Sequence, residues 1–331
     1  MGGLIAKRLA AMIGILLVLT AIVFGVQQLS PTDPVHNYLG ANSTPAQVAV
    51  ARHQLGYDKP LPVQYVRYVG DLLRGNMGTS LRTRQPVTTD LGHALPATLE
   101  LALAAMLIAA VLAILLGVAS AARWRGAGIF RFILVAGGSV PAFLAAILGI
   151  VLFYNHLHWV PAPGRTRYLN APSGPTGLLT IDGLLHGRLD VTVDAIQHLI
   201  LPSIAVALVP AVSVGRVLRS SITNALQSDY VRTARAKGLS ERMVLLRHTL
   251  RNSAGAALSM GGLQIGLMFA GVMVVEVVYN WPGIGLYTYQ SINRSDLPAI
   301  AGVTVLLGAA YVIINTVVDI LQAVADPRIV L

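Results

Sequence analysis

The stretch SDYVRTARAKGLSERMVLLRHTLRNS, residues 228–253, holds nine charged or chargeable side chains, seven of them basic when His248 is counted. Charged residues make up only 11% of the whole chain, and apolar runs of membrane-spanning length flank the stretch on both sides. Its local signals agree with one another. Ser228 or Asp229 can cap a helix, Tyr230 to Lys237 are good helix formers apart from Val231 and Thr233, and Gly238 suits a left-handed C-cap. Ser240 then starts a second helix, with Glu241 early and Arg247, His248 and Arg251 late, matching the helix dipole. A helix of about ten residues is marginal alone in water, so the first one must pack against something. The small Ala234 and Ala236 allow close approach. On these residues alone two readings stay open: a basic segment lying on anionic lipid, and a helix seated in a protein groove.

Outward from that segment the chain is apolar. It has 331 residues, 55% of them hydrophobic, and a mean hydropathy of +0.67. A soluble domain would carry about a quarter charged residues, so a polytopic membrane protein is the first reading. There are no cysteines, which removes disulfides, thiolate nucleophiles, iron–sulfur clusters and cysteine-ligated zinc together. Six uncharged segments are long enough to cross about 30 Å of hydrocarbon as helices: residues 9–29, 101–122, 132–154, 195–215, 252–275 and 297–318. The first follows Lys7-Arg8, but its apolar run is too long for a signal peptide and no clean cleavage site follows it. It is read as a retained span.

The basic residues orient these spans. With the N-terminus inside, the inner segments hold 14 basic residues against three acids, Asp229, Glu241 and Asp326. Among those basic residues are Lys7, Arg8, Arg123, Arg125, Arg131 and Arg328, with the rest in 216–251. The outer segments hold 10 basic residues and nine acids. The net charge of +10 is therefore positive-inside asymmetry and not a nucleic-acid footprint, and both termini are expected in the cytoplasm. Residues 30–96 are expected outside as a helical cap. Within them Ser43-Thr44-Pro45 opens a helix that Gly56 stops, and a second short amphipathic piece from Val63 to Leu73 ends before Gly75. Arg67 and Asp71 on that piece are candidates for docking an external partner. Residues 155–194 read as an irregular outer excursion rich in Pro and Gly, and 216–251 as the inner loop.

Catalytic chemistry finds no footing. A P-loop needs Gly-Lys followed by Ser or Thr, and the three lysines, Lys7, Lys59 and Lys237, follow Ala, Asp and Ala. If ATP is used, another polypeptide binds it. Ion-coupled transport would leave paired carboxylates inside the spans, and Glu276 is the one carboxylate near a membrane interior, with Asp319 at the end of the last span. The ordinary reading of Glu276 is a packing or hydrogen-bonding residue; the functional one is that it lines a substrate path with the Trp281-Pro282-Gly283 turn. His156-x-His158 beside Trp159 has ligand spacing only for an extended strand and reads as interfacial. Nothing resembles an acid–base set or a metal site.

The run Asp229-Tyr230-Val231-Arg232-Thr233-Ala234-Arg235-Ala236-Lys237-Gly238 resembles the "EAA" signature of ABC importer permeases. More narrowly, the chain is similar to the first, B-type permease subunit of the dipeptide, oligopeptide and nickel importers. Pro31-Thr32-Asp33-Pro34, Leu55-Gly56-Tyr57-Asp58-Lys59-Pro60, Asn76-Met77-Gly78-Thr79-Ser80 and Pro96-Ala97-Thr98-Leu99-Glu100 carry the likeness. So do Pro141, Leu201-Pro202, Trp281-Pro282-Gly283-Ile284-Gly285 and Asp326-Pro327-Arg328. Ala254 and the segment 160–190 depart from the pattern. The resemblance implies an all-α type I importer membrane domain, multi-pass in the bacterial inner membrane and without catalysis or cofactor of its own. It implies a second homologous permease, one or two ATPase subunits that bind ATP and Mg, and an extracytoplasmic binding protein. On this reading Asp229 to Gly238 form the helix that couples to the ATPase. Peptides are the expected cargo; nickel chelates or haem are the alternative cargo, and an ion-coupled carrier the less favoured mechanism.

Overall fold

The computed structural model describes residues 2–29, 44–122 and 126–325, without the side chains of 2–9, 55 and 319–325. The expectations placed on Pro31 to Pro34, Ser43, Arg123, Arg125 and Asp326 to Arg328 lie outside the described residues, and those on Lys7, Arg8 and Asp319 fall on side chains outside the description. The described chain is mostly helical, and its one β feature among the described residues is an isolated antiparallel bridge between Thr79 and Pro86.

Among the described residues five helices are long and apolar enough to cross a membrane. They are α1 (Gly2–Gln28), α4 (Val87–Ala121), α8 (Leu189–Ala225), α10 (Glu241–Val278) and α12 (Leu297–Ala325). The expected span 132–154 is not one helix. It is a pair, α5 (Ala127–Ser139) and α6 (Ala142–His156), bent by 108°. The cause is Pro141, which pushes Val140 into the extended region, φ −93° and ψ 114°, because its ring clashes with a helical residue before it. The other spans overrun their expected ends. At about 1.5 Å per residue, the 35 residues of α4 and 37 of α8 are longer than the hydrocarbon is thick. Residues 87–96, read as the end of a loop, are the first turns of α4. Residues 216–225 and 241–251, read as loop, belong to α8 and α10, which leaves only α9 (Asp229–Ala236) and two short links between them.

The chain divides into two compact units, Met1–His93 with Tyr287–Ile313, and Ala94–Leu286 with Ile314–Leu331. In the first, α2 (Pro45–Leu55) starts with a capping box. The Gln47 N–H donates to Thr44 Oγ1 at 3.4 Å, and the Thr44 N–H to Gln47 Oε1 at 2.9 Å. It ends at Gly56, φ +75°. The amphipathic α3 (Leu61–Leu73) lies along α1: the Tyr65 hydroxyl donates to Leu17 O at 2.9 Å, and the Phe24 ring sits 5.7 and 5.8 Å from the rings of Tyr65 and Tyr68. Glycine lets α12 pack closely here. A Cβ on Gly302 would come within 2.6 Å of Val87 Cγ1, and the Leu19 side chain fills the place of one on Gly308.

The second unit is built on α8, which packs against α5, α6, α10 and the short α7 (Leu179–Leu185). Its core is mostly alanine: Ala97, Ala105 and Ala109 of α4 meet Ala205, Ala207 and Ala211 of α8, with Met268, Val272 and Val275 of α10. Lipid offers no hydrophobic drive between helices, so close van der Waals approach of small residues replaces it. Pro202 and Pro210 lie inside α8 and are fully buried in that packing.

Candidate functional site

Two places concentrate the residues singled out from sequence, and both lie in the second unit. The first is the turn after α10. Tyr279 ends the helix and Asn280 takes a left-handed φ of 50°. Trp281 then drops into the core, its indole N–H donating to Ala97 O at 2.9 Å. The helix α11 (Ile284–Asn293) starts directly beyond Gly283. Glu276 is fully buried beneath this turn. Its Oε2 accepts the Gly285 N–H at 2.5 Å, and its Oε1 accepts the Thr98 hydroxyl at 2.7 Å, while Thr98 Oγ1 takes the Ile284 N–H at 2.8 Å. A carboxylate set on the first amides of α11 satisfies donors that a helix start leaves open and matches its dipole. A Cβ on Gly283 would collide with that carboxylate, so glycine is required there. Glu276, Trp281 and Gly283 are thus brought together as a brace, the ordinary reading of Glu276. Only Pro282 of the four is exposed.

The neighbouring excursion, expected to be irregular, is pinned by other buried acids. Glu100 pairs with Arg165 and accepts the Thr180 N–H at 2.8 Å and hydroxyl at 2.7 Å. The Arg165 guanidinium in turn stands 5.7 Å from the Trp281 ring centre. Asp194 takes the Thr166 hydroxyl at 2.6 Å and the Arg167 guanidinium at 2.8 Å, and Asp182 the Thr176 hydroxyl at 2.7 Å. Sequence reasoning counted Asp182 and Asp194 only as charges and met Glu100 only within a family motif. Their signal was present: each loop they hold carries a threonine able to donate back to a carboxylate. The His156 and His158 rings turn to their own backbone, Nδ1 lying 2.8 Å from Val151 O and 2.7 Å from Tyr154 O. No cluster of three ligand-type side chains occurs among the described residues.

The second place is α9. Ser228 holds the extended N-cap backbone, φ −74° and ψ 156°, but its hydroxyl donates back to Ala225 O at 2.5 Å instead of accepting from the helix. Gly238 takes the left-handed conformation expected, φ +77°, and Ser240 accepts the Met243 N–H at 3.4 Å as cap of α10. Val231 and Ala234 face inward and pack with Val244, Leu226 and Leu239 of the same chain. Across the turn at Gly238 the Arg235 guanidinium is held by both Glu241 oxygens, at 2.6 and 3.0 Å. That pairing keeps Arg235 protonated above its ordinary range. Tyr230, Arg232, Thr233, Ala236 and Lys237 stay exposed, with Asp229. Ala234, the residue that sequence suggested for a tight contact with a partner, is instead committed to the chain's own core.

The docking candidates belong to the first unit. Arg67 is exposed and reaches over Gly56, where a Cβ would lie 2.6 Å from its Nη1. Asp71 approaches Arg74 at 3.9 Å, not Arg67.

Several helices of membrane-crossing length, with the short basic α9 between two of them, define an all-α polytopic membrane protein. Residues 109–331 match the binding-protein-dependent transport system inner membrane component, and residues 1–102 the N-terminal part of such membrane components. The chain belongs to this family, the inner-membrane permeases of ABC importers, whose partners are ATPases and a substrate-binding protein. It is 41% identical over 330 residues to the di/tripeptide transport system permease protein DppB of Pseudomonas aeruginosa, covering 98% of each chain. To the dipeptide transport system permease protein DppB of Alkalihalophilus pseudofirmus it is 36% identical over 327 residues, again 98% of each. The dipeptide permease DppB of Escherichia coli is 34% identical over 333 residues, 98% of each.

Proposed function

We propose that this chain is one half of a heterodimeric pore through which an ATP-driven importer moves di- and oligopeptides handed over by an extracytoplasmic binding protein. The observation that supports it best is the end-to-end likeness to peptide permeases, 41% over 98% of the chain. On this reading both termini are cytoplasmic, following the basic-residue asymmetry. ATP and Mg sit on partner subunits, since no Gly-Lys-Ser/Thr run is present in the chain, and the permease itself does no catalysis. Residues 216–251 carry the coupling segment: α9 presents Tyr230, Arg232, Thr233 and Lys237 to an ATPase groove and relays closure of the nucleotide sites into α8 and α10. The Glu276–Trp281–Gly283 brace gives the path a rigid wall, and Arg67 and Asp71 belong to the docking surface.

The deciding experiment is hydrolysis by the co-purified permease–ATPase complex in vesicles. A peptide-loaded binding protein should raise it several-fold over the empty one. Stimulation by nickel-chelate- or haem-loaded binding protein alone would replace the cargo, and transport driven by an ion gradient without ATP would overturn the mechanism. Single cysteines at Ser173 and Ser240, both exposed, test the orientation: an impermeant thiol reagent outside sealed cells should label the first and not the second.

A further inference from the structure

In the first unit, residues 78–87 close into a tight loop. The Ser80 N–H donates to Gln85 O at 2.9 Å, and the Val87 N–H to Gly78 O at 3.0 Å. Asp296 fastens this loop to the link between α11 and α12. One of its oxygens takes the Ser80 hydroxyl at 2.5 Å and the Arg82 backbone N–H at 3.1 Å, and the other takes the Ala299 N–H at 3.3 Å. Asp90 is used similarly, accepting the Thr83 hydroxyl at 2.6 Å and the Tyr287 hydroxyl at 3.0 Å. The Arg82 guanidinium lies 5.2 Å from the centre of the Tyr287 ring.

The nearby acids are therefore spent on hydroxyls and amides. Among the described residues neither Arg82 nor Arg294 has an ion-pair partner, whereas Arg165, Arg167 and Arg188 each have one. These two arginines line an open cleft of about 690 Å³ together with Leu81, Gln290 and Asn293. That volume falls among small-ligand sites, and among the described residues no carboxylate lines it. Two guanidinium groups offer paired donors in the geometry that a carboxylate accepts. Two carboxamides, each with a donor and an acceptor, match the N–H and C=O of a peptide group. Arg84 and Ser295, with φ of 60° and 53°, hold left-handed backbone in the two segments that form the walls, a conformation that such residues keep only where the surroundings impose it.

We propose that this cleft binds the free C-terminal carboxylate of a short peptide, Arg82 and Arg294 taking the carboxylate and Gln290 and Asn293 the neighbouring peptide groups. It rests on the reading of the chain as a peptide permease and adds to it a site on the permease itself, separate from that of the binding protein.

The test is equilibrium binding of labelled trialanine and of trialanine C-terminal amide to the permease–ATPase complex in nanodiscs, without binding protein. The wild type should prefer the free acid by about tenfold or more, the loss expected when a charged hydrogen-bond pair goes missing. Arg82→Gln and Arg294→Gln should each weaken the free acid about tenfold and erase the preference. Arg84→Gln, on the same loop but outside the cleft, should change neither. Equal binding of acid and amide by the wild type, no binding of either, or an undiminished preference in both variants would overturn the proposal. So would variants that bind trialanine normally but lose stimulation by the binding protein, since the cleft would then be a docking surface. The cargo reading is tested separately: a complex that fails here yet is stimulated by peptide-loaded binding protein keeps its function and loses only this site.

Discussion

Two polar segments of the second unit use charge in opposite ways. In the turn 279–286 and the neighbouring excursion, the carboxylates of Glu276, Glu100 and Asp194 are buried and filled with threonine hydroxyls, backbone amides and arginines. In the α9 segment the buried residues are apolar, Val231, Ala234 and Val244, and the charges stand on the outside. The first arrangement leaves nothing for another molecule and makes a rigid turn. The second secures the helix to its own chain from beneath and leaves a polar side open.

The comparison can be broken from the rigid side first, where effects should be largest. Glu276→Leu strands the Thr98 hydroxyl and the Gly285 amide in the core. Each buried donor left unsatisfied costs about 1–3 kcal/mol, so the variant should lose most of its folded yield in detergent. Glu276→Gln keeps one acceptor and should lose about half as much, read as the shift in thermal midpoint. Full stability of the Leu variant would remove the brace.

Next comes the buried side of α9. Ala234→Leu overpacks the contact with Val244 and Leu239, at about 1–3 kcal/mol. Limited proteolysis should then cut the α8–α10 link faster even in the permease without its ATPase. Cleavage unchanged in the isolated permease would mean that the contact is not built into this chain. Gly238→Val should follow at about 1–2 kcal/mol, because a β-branched residue resists the left-handed backbone that Gly238 holds; a Gly238→Asn variant, which tolerates it, should recover most of the loss.

The smallest effect on folding, and the sharpest on partnership, belongs to the exposed side. Tyr230→Ala with Arg232→Glu should move the thermal midpoint by no more than surface changes do, about 0.5 kcal/mol. Retention of the ATPase on co-purification should nevertheless fall about tenfold, as when an aromatic and a charged anchor leave an interface. Equal retention would return the segment to the lipid-surface reading.

Much of this was legible from residues alone. Hydropathy marked out the five long apolar helices of the described residues, because each must satisfy its own backbone and so announces itself over about twenty residues. Caps were legible for the same local reason: Thr44, Gly56, Gly238 and Ser240 act within three or four residues of where they stand. Three things were decided only in three dimensions. Pro141 was visible, but whether it would kink or bend the segment by 108° depends on what receives the two halves. The small Ala234 of α9 was visible as a place for close approach, yet a small residue cannot say whether the chain's own Val244 or another protein covers it. Glu276 meets Thr98 across 178 residues. Such a pair leaves no local pattern, since the energy that fixes it comes from excluding water around both at once, and only the packed helices do that.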